Sequence, residues 1–227
     1  MSKFFIPVNN PEDWRPLLAE PDKYWRTGYS AKTLAYCWQE AGDFPEEVRK
    51  VFNASGIKLF QQIELLLAFP EYKVSLPGGR RASQSDIFIL AKSNRQLISI
   101  TVEGKVNEPF GETIADWKTQ KGKGRERRLI YLCNLLELDI TSINHIRYQL
   151  LHRTASALIE AKRFNAQNAL MLVHSFSQTG DWFDDYRQFL ALFGVKGEID
   201  SLVFAKHIDG INLYFSWMKG NKRYLEV

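Results

Sequence analysis

The chain has little cysteine, no long apolar run and no glycine-rich phosphate loop, and each absence narrows what it can do. Its two cysteines, Cys37 and Cys133, sit far apart in apolar surroundings. They lack the spacing of a metal-binding motif or a disulfide framework, so both are expected to be reduced core residues. No stretch approaches the ~20 uninterrupted apolar residues of a membrane span, and the first residues carry no apolar leader. A cytoplasmic protein without a membrane partner is the expectation. There is no internal repeat, no low-complexity linker and no P-loop or dinucleotide glycine motif, which sets aside solenoids and those nucleotide-binding classes. With 227 residues and 45% apolar content, the chain can bury one substantial core. A single domain over 1–227 is expected, with a helical cover over 1–56, a core over 57–178 and a C-terminal helix and hairpin over 179–227.

What the chain does have is a pair of adjacent apolar runs, 85–92 and 97–105, punctuated by charge. Asp86 opens the first, and Glu103, Gly104 and Lys105 close the second. Successive strand side chains face opposite ways, so Glu103 and Lys105 project on the same side. If the runs pair as a hairpin, Asp86 lies near the same end. Two carboxylates and an ammonium then meet beside apolar strands, a donor set suited to a hard divalent cation with a charge-stabilising neighbour. The plain alternative is an exposed ion pair at a strand end with Asp86 as a turn residue.

This order of residues resembles the PD-(D/E)xK nuclease superfamily, whose signature is an acid on one strand followed by E-x-K on the next. The likeness covers 57–178. It departs from the signature at Ser85, where the family name has proline. The resemblance implies a restriction-endonuclease-like fold and phosphodiester hydrolysis with Mg²⁺ (or Mn²⁺). Asp86, Glu103 and the Gly104 carbonyl would hold the cation, and Lys105 would orient or deprotonate the attacking water. Family members carry a glutamate on a helix before the first core strand. The run 57–69 has Ile57, Phe60, Ile63 and Leu66 at helical spacing, with Glu64 inside it and Pro70 to end it, so Glu64 would hold a second ion or a bridging water. The strand after it is read over 72–76.

Net charge is +4 and the isoelectric point about 9.0, and the distribution says more than the sum. The segment 118–128 is dense in cations: Lys118, Lys121, Lys123, Arg125, Arg127 and Arg128 surround a single acid, with Gly122 and Gly124 expected to make it a flexible loop. Together with Arg80 and Arg81 it would bind a phosphate backbone, unless it is merely a solvated loop. Nucleic acid is therefore the expected partner, with DNA favoured only because most of the superfamily cuts DNA. A homodimer is compatible with a site that cuts one strand.

A long helix is expected from Thr141 or Ser142 to Arg163. It carries His145, Gln149, His152, Arg153 and Ser156 along one polar stripe. His145 and His152 stand ~10 Å apart along such a helix, too far to chelate one ion. Gln149, His152 and Arg153 could meet water or the scissile phosphate, or form the polar outer face of an amphipathic helix. The order Tyr148-Gln149 reverses the motif of the exonuclease branch, so no role is carried over from it.

Elsewhere the sequence predicts helices from Pro11, from Ser30 to Ala41, from Pro45, over 129–138 and over 181–193. It predicts a buried strand over 169–173 and a hairpin about Asp209-Gly210. Trp14, Trp25 and Trp38 are read as core. The whole is α/β: a mixed central sheet of five or six strands flanked by helices. Two other functions fit the same residues. One is a nuclease-fold binding module without catalysis. The other is a metal-independent enzyme built on His145, His152 and Arg153, for which the sequence identifies no nucleophile.

Overall fold

The computed structural model describes residues 8–119 and 122–227. A 3-10 segment, Pro11–Leu17, is capped by Asn10 and Asp13 in a reciprocal capping box. Short α1 (Pro21–Tyr24) follows, then α2 (Ser30–Ala41), α3 (Glu46–Ala54) and the single turn α4 (Lys58–Gln61). Leu34, Ala35 and Trp38 form the buried stripe of α2. Gly42 ends that helix in the left-handed conformation that favours glycine (φ 59°).

Strands β1 (Glu64–Val74), β2 (Ser83–Ser93) and β3 (Gln96–Lys105) form an antiparallel meander. Helices α5 (Ile114–Thr119), α6 (Lys123–Leu136) and α7 (Tyr148–Arg163) then cross over to β4 (Asn168–Ser175), which lies parallel to β3. Helix α8 (Phe183–Ala191) leads to β5 (Ser201–Ile208) and β6 (Ile211–Lys219), and a last 3-10 turn spans Lys222–Glu226. The β5–β6 hairpin turns on Asp209 and Gly210, both at positive φ, as expected.

The sheet order is β1-β2-β3-β4-β6-β5, six strands of mixed direction. One face packs on α2 and α3 through a cluster that includes Trp38, Phe52 and Phe60. The other packs on α6, α7 and α8 through Leu132, Leu151, Leu158 and Phe189. Every residue of β4 is buried, as a parallel strand covered on both faces requires. Both cysteines are free and buried. Trp14 and Trp38 are core, whereas Trp25 is only partly covered and donates to Glu12. No helix among the described residues is long and apolar enough to cross a membrane.

Other expectations fail. The helix expected over 57–69 is only the turn α4, and the leucines that follow belong to β1. Apolar spacing in so short a run does not separate helix from strand, and pairing with β2 decides it. Pro70 does not end a helix; it lies within β1, an edge strand, where a missing N–H is tolerated. The basic segment is not a flexible loop, since Lys118 belongs to α5 and Lys123 to Arg128 open α6. Lys121 lies outside the described residues. Gly124 and Gly78 exist for close approach: a Cβ on either would overlap the other's carbonyl oxygen. Finally, α7 starts at Tyr148, so 141–147 is a turn and His145 is exposed off the helix.

Candidate metal centre

The hairpin β2–β3 and helix α7 bring the candidate acids to one cleft. Thr101 Oγ1 on β3 donates to the Arg153 carbonyl (3.1 Å), and Ser99 Oγ donates to the Ala157 carbonyl (2.8 Å). These hydroxyls fix the register of α7 against β3, and that register places Gln149 and Arg153 over Glu103. Glu103 is 2% exposed and Lys105 3%. Glu103 Oε1 accepts from Lys105 Nζ (2.6 Å) and from Gln149 Nε2 (2.5 Å), while Oε2 accepts from Arg153 Nε (2.5 Å). Burying these charges is costly, and removing one partner would strand the others. Burial raises the Glu103 carboxyl, but Arg153 and then Lys105 outweigh it and hold it below the ordinary value.

Asp86 Oδ2 accepts from the Gly104 amide (2.7 Å). This ties the acid of β2 to the middle of Glu103-Gly104-Lys105. A Cβ at Gly104 would lie 3.2 Å from Leu34 Cδ2 and 3.3 Å from Asp86 Oδ2, so any larger residue would press on both side chains and make them shift by a few tenths of an ångström. Burial, reinforced by the charge of Glu103, pushes the Asp86 carboxyl up to about 7.

Glu64 is not in the cleft. It opens β1, exposed and paired with Lys92 at 3.1 Å. That is the far end of the hairpin, six strand residues or ~20 Å from Asp86. The third acid is Glu71, which the sequence reading missed. It follows Pro70 in β1 and takes a positive φ of 52°, rare for a residue with a side chain. Its neighbours Pro70 and Tyr72 pair with Ile87 and Ser85, so Glu71 faces the Asp86 position across the ladder. Gln84 Nε2 donates to its Oε2 (2.7 Å). Burial and then Asp86 raise the Glu71 carboxyl well above the usual range. Had 64–74 been read as a strand, hairpin register alone would have pointed to it.

Glu71, Asp86, Glu103, Lys105, Gln149 and Arg153 line a cleft of about 610 Å³. Glu108 and Glu112 line its rim as well, so five carboxylates and two cations, Lys105 and Arg153, share the cleft, and burial together with the neighbouring acids favours the protonated forms of Asp86 and Glu71. A divalent cation could replace those protons, so the donor set fits a hard cation on charge. It is less complete on geometry. Glu71, Asp86 and Glu103 do not close as a trio to within 4.8 Å, and both Glu103 oxygens are committed to side chains.

The other basic residues divide. Arg153 and His152 do not face out to a phosphate backbone: Arg153 is buried on Glu103, and His152 Nδ1 lies 2.8 Å from Ser83 Oγ. Burial, followed by Arg153 and Arg128, keeps His152 well below its ordinary value and neutral. Ser83 Oγ also accepts from Ser156 and Arg153, so this Ser-His contact is an interior network. The polar stripe of α7 therefore faces inward. Arg128 is buried too, donating to the carbonyls of Leu76, Pro77 and Gly79, where it fastens the turn before β2. Arg80, Arg81, Lys118, Lys123 and Arg127 are exposed, and Arg125 lies half-buried over the Trp117 ring at 4.6 Å.

Among the described residues, one trio of thiol, imidazole and carboxylate donors does close to within 4.8 Å: Cys37, Glu47 and His174, on the opposite face of the sheet. Its hydrogen bonding has the wrong sense for a metal. Trp38 Nε1, which can only donate, points at His174 Nδ1 (3.0 Å). A ring that accepts at Nδ1 carries its hydrogen on Nε2, which lies 3.5 Å from Glu47 Oε1 without a hydrogen bond. A ligating histidine has the reverse arrangement, its second nitrogen donating outward.

No curated protein and no solved structure matches the chain. A family model described as Domain of unknown function (DUF6946) matches residues 7–222, nearly the whole length over which the sheet and its cleft are built, and the chain belongs to that family.

Proposed function

We propose that the protein is a divalent-cation-dependent nuclease of the PD-(D/E)xK type. One observation carries the reading: Asp86, Glu103 and Lys105 meet at the ends of two adjacent strands, linked through the Gly104 amide and roofed by Gln149 of α7. A cation held by Asp86, Glu103 and the Gly104 carbonyl would supply Lewis-acid charge beside a phosphodiester. Lys105, held at 2.6 Å from Glu103 and over the Phe110 ring, offers an ammonium to the charge that develops on the phosphate. Gln149 has an amide positioned to orient a water along the same carboxylate. Arg153 holds Glu103 ionised and fixes its rotamer, a positioning role. DNA is the substrate favoured by the resemblance.

The test is cleavage of plasmid DNA and of labelled DNA and RNA oligonucleotides with Mg²⁺ or Mn²⁺, by wild type, Asp86→Asn and Lys105→Met. Cleavage by wild type that both variants lose is the expected result. A second reading, a binding module that keeps the fold, is favoured by the closed ion-pair network on Glu103, which is complete without a cation. Nucleic-acid binding with no cation-dependent cleavage in any condition would establish that reading instead.

A further inference from the structure

Next to the acidic cleft lies a second pocket of opposite charge. It has a volume of about 300 Å³, and its walls include Arg80, Arg81, Arg125 and Arg128 but no aspartate or glutamate. Trp117, Tyr148 and His152 line both cavities, so the two share one wall. The sequence marked these arginines as a diffuse backbone-binding surface. Folded, they line one half-open pocket.

The pocket is built rigidly. Arg128 spends its donors on three carbonyls of the Leu76–Gly79 turn, and Gly78 packs directly on Gly124 at the start of α6. Trp117 stacks on Tyr148 at 4.3 Å and 16° between planes. Among the described residues, Arg80 and Arg81 form no ion pair and no hydrogen bond. The buried Tyr148 hydroxyl lies beside Arg128 and makes no well-formed hydrogen bond. Positive charge is thus concentrated on walls that carry no carboxylate, and folding has already met the cost of bringing it together.

We propose that this pocket binds a phosphate monoester, the terminal phosphate of a nucleic-acid strand whose adjoining nucleotides enter the carboxylate cleft. The terminal position follows from charge. A monoester carries about −1.5 to −2 at pH 7 and offers three acceptor oxygens, whereas an internal diester carries a single charge. A pocket lined by arginines and by no carboxylate rewards the more highly charged group. The nucleic-acid part of the inference rests on the nuclease reading; the anion pocket does not. The site would then work from strand ends.

The experiment is fluorescence anisotropy with labelled single-stranded oligonucleotides in EDTA, bearing a 5′-phosphate, a 3′-phosphate or hydroxyls at both ends. Inorganic phosphate serves as competitor. The proteins are wild type, Arg80→Ala/Arg81→Ala (both exposed, so the fold is not at risk) and Asp86→Asn. The expected result is at least about tenfold tighter binding of one phosphorylated end, the scale of a charge-assisted contact. That preference should yield to inorganic phosphate, persist in Asp86→Asn and collapse in the double variant. Equal affinity for all three oligonucleotides overturns the proposal, as does a preference that survives loss of both arginines. If wild type prefers a phosphorylated end but cleaves nothing with Mg²⁺, the pocket stands and the nuclease reading fails.

Discussion

Replacing Asp86 by asparagine should make the protein more stable at neutral and alkaline pH, and by an amount set by the site. The introduced amide keeps an oxygen for the Gly104 N–H but cannot ionise. In the folded chain burial and Glu103 lift the Asp86 carboxyl from 3.8 to about 7. The folded state therefore holds a proton that the unfolded state releases. The stability associated with that proton is fully present below the unfolded value and is lost as pH climbs from about 4 to about 7. A shift near three pH units, at ~1.4 kcal/mol each, sets a ceiling of about 4 kcal/mol. For a chain of this size that is roughly 8–16 °C in melting temperature. Thermal unfolding of both proteins in EDTA across pH 4–8.5 is the assay. The curves should coincide near pH 4 and separate steadily to pH 7, with the variant higher. Adding Mg²⁺ at pH 8 should raise wild type by RT ln(1 + [Mg²⁺]/Kd) and leave the variant nearly unmoved. A separation that is the same at pH 4 and pH 8 would refute the reasoning, since it would mean that the carboxyl titrates normally.

Glu103→Gln should cost about 3–5 kcal/mol in urea unfolding, because Arg153 and Lys105 would be left buried without their counter-charge. Glu64→Ala should change stability by less than about 1 kcal/mol, as an exposed ion pair predicts, and should leave any cleavage rate intact. Glu71→Gln should instead weaken Mg²⁺ binding in calorimetry, since Glu71 shares the cleft with Asp86. Gly124→Ala should destabilise by roughly 1–3 kcal/mol through overlap with the Gly78 carbonyl, visible as a lower urea midpoint.

Much of the sheet was legible because its strands carry strong local signals. The acid-to-E-x-K spacing predicted the β2–β3 hairpin, the unbroken apolar run of 169–173 predicted a covered parallel strand, and Asp209-Gly210 predicted the last turn. Of the centre, Asp86, Glu103, Gly104, Lys105 and Gln149 were named from sequence and do meet. What was not legible depended on partners distant in the chain. Leu65 to Leu67 were read as helix from their apolar spacing, which pairing with β2 overrules, and with that reading went Glu64 and Glu71. Arg153 and Arg128 looked like surface cations because composition cannot reveal a buried carboxylate 50 residues away or a ring of three carbonyls. The glycines beside Arg125 suggested freedom of movement, whereas one of them exists to let two backbones touch.

Strand β1 borders the sheet, and its outer rim is broken up in three ways. There is a register shift between Leu65 and Leu67, a proline at 70 with no amide hydrogen to offer, and a left-handed turn of the backbone at Glu71. A smooth, fully extended border strand is a template onto which a second chain can add, the first step toward fibrillar aggregates. Here the irregularity that turns an acid inward toward Asp86 also spoils that template. Restoring a regular rim, for instance by straightening residues 70–71, would turn Glu71 out of the cleft and cost the protein part of its resistance to self-association.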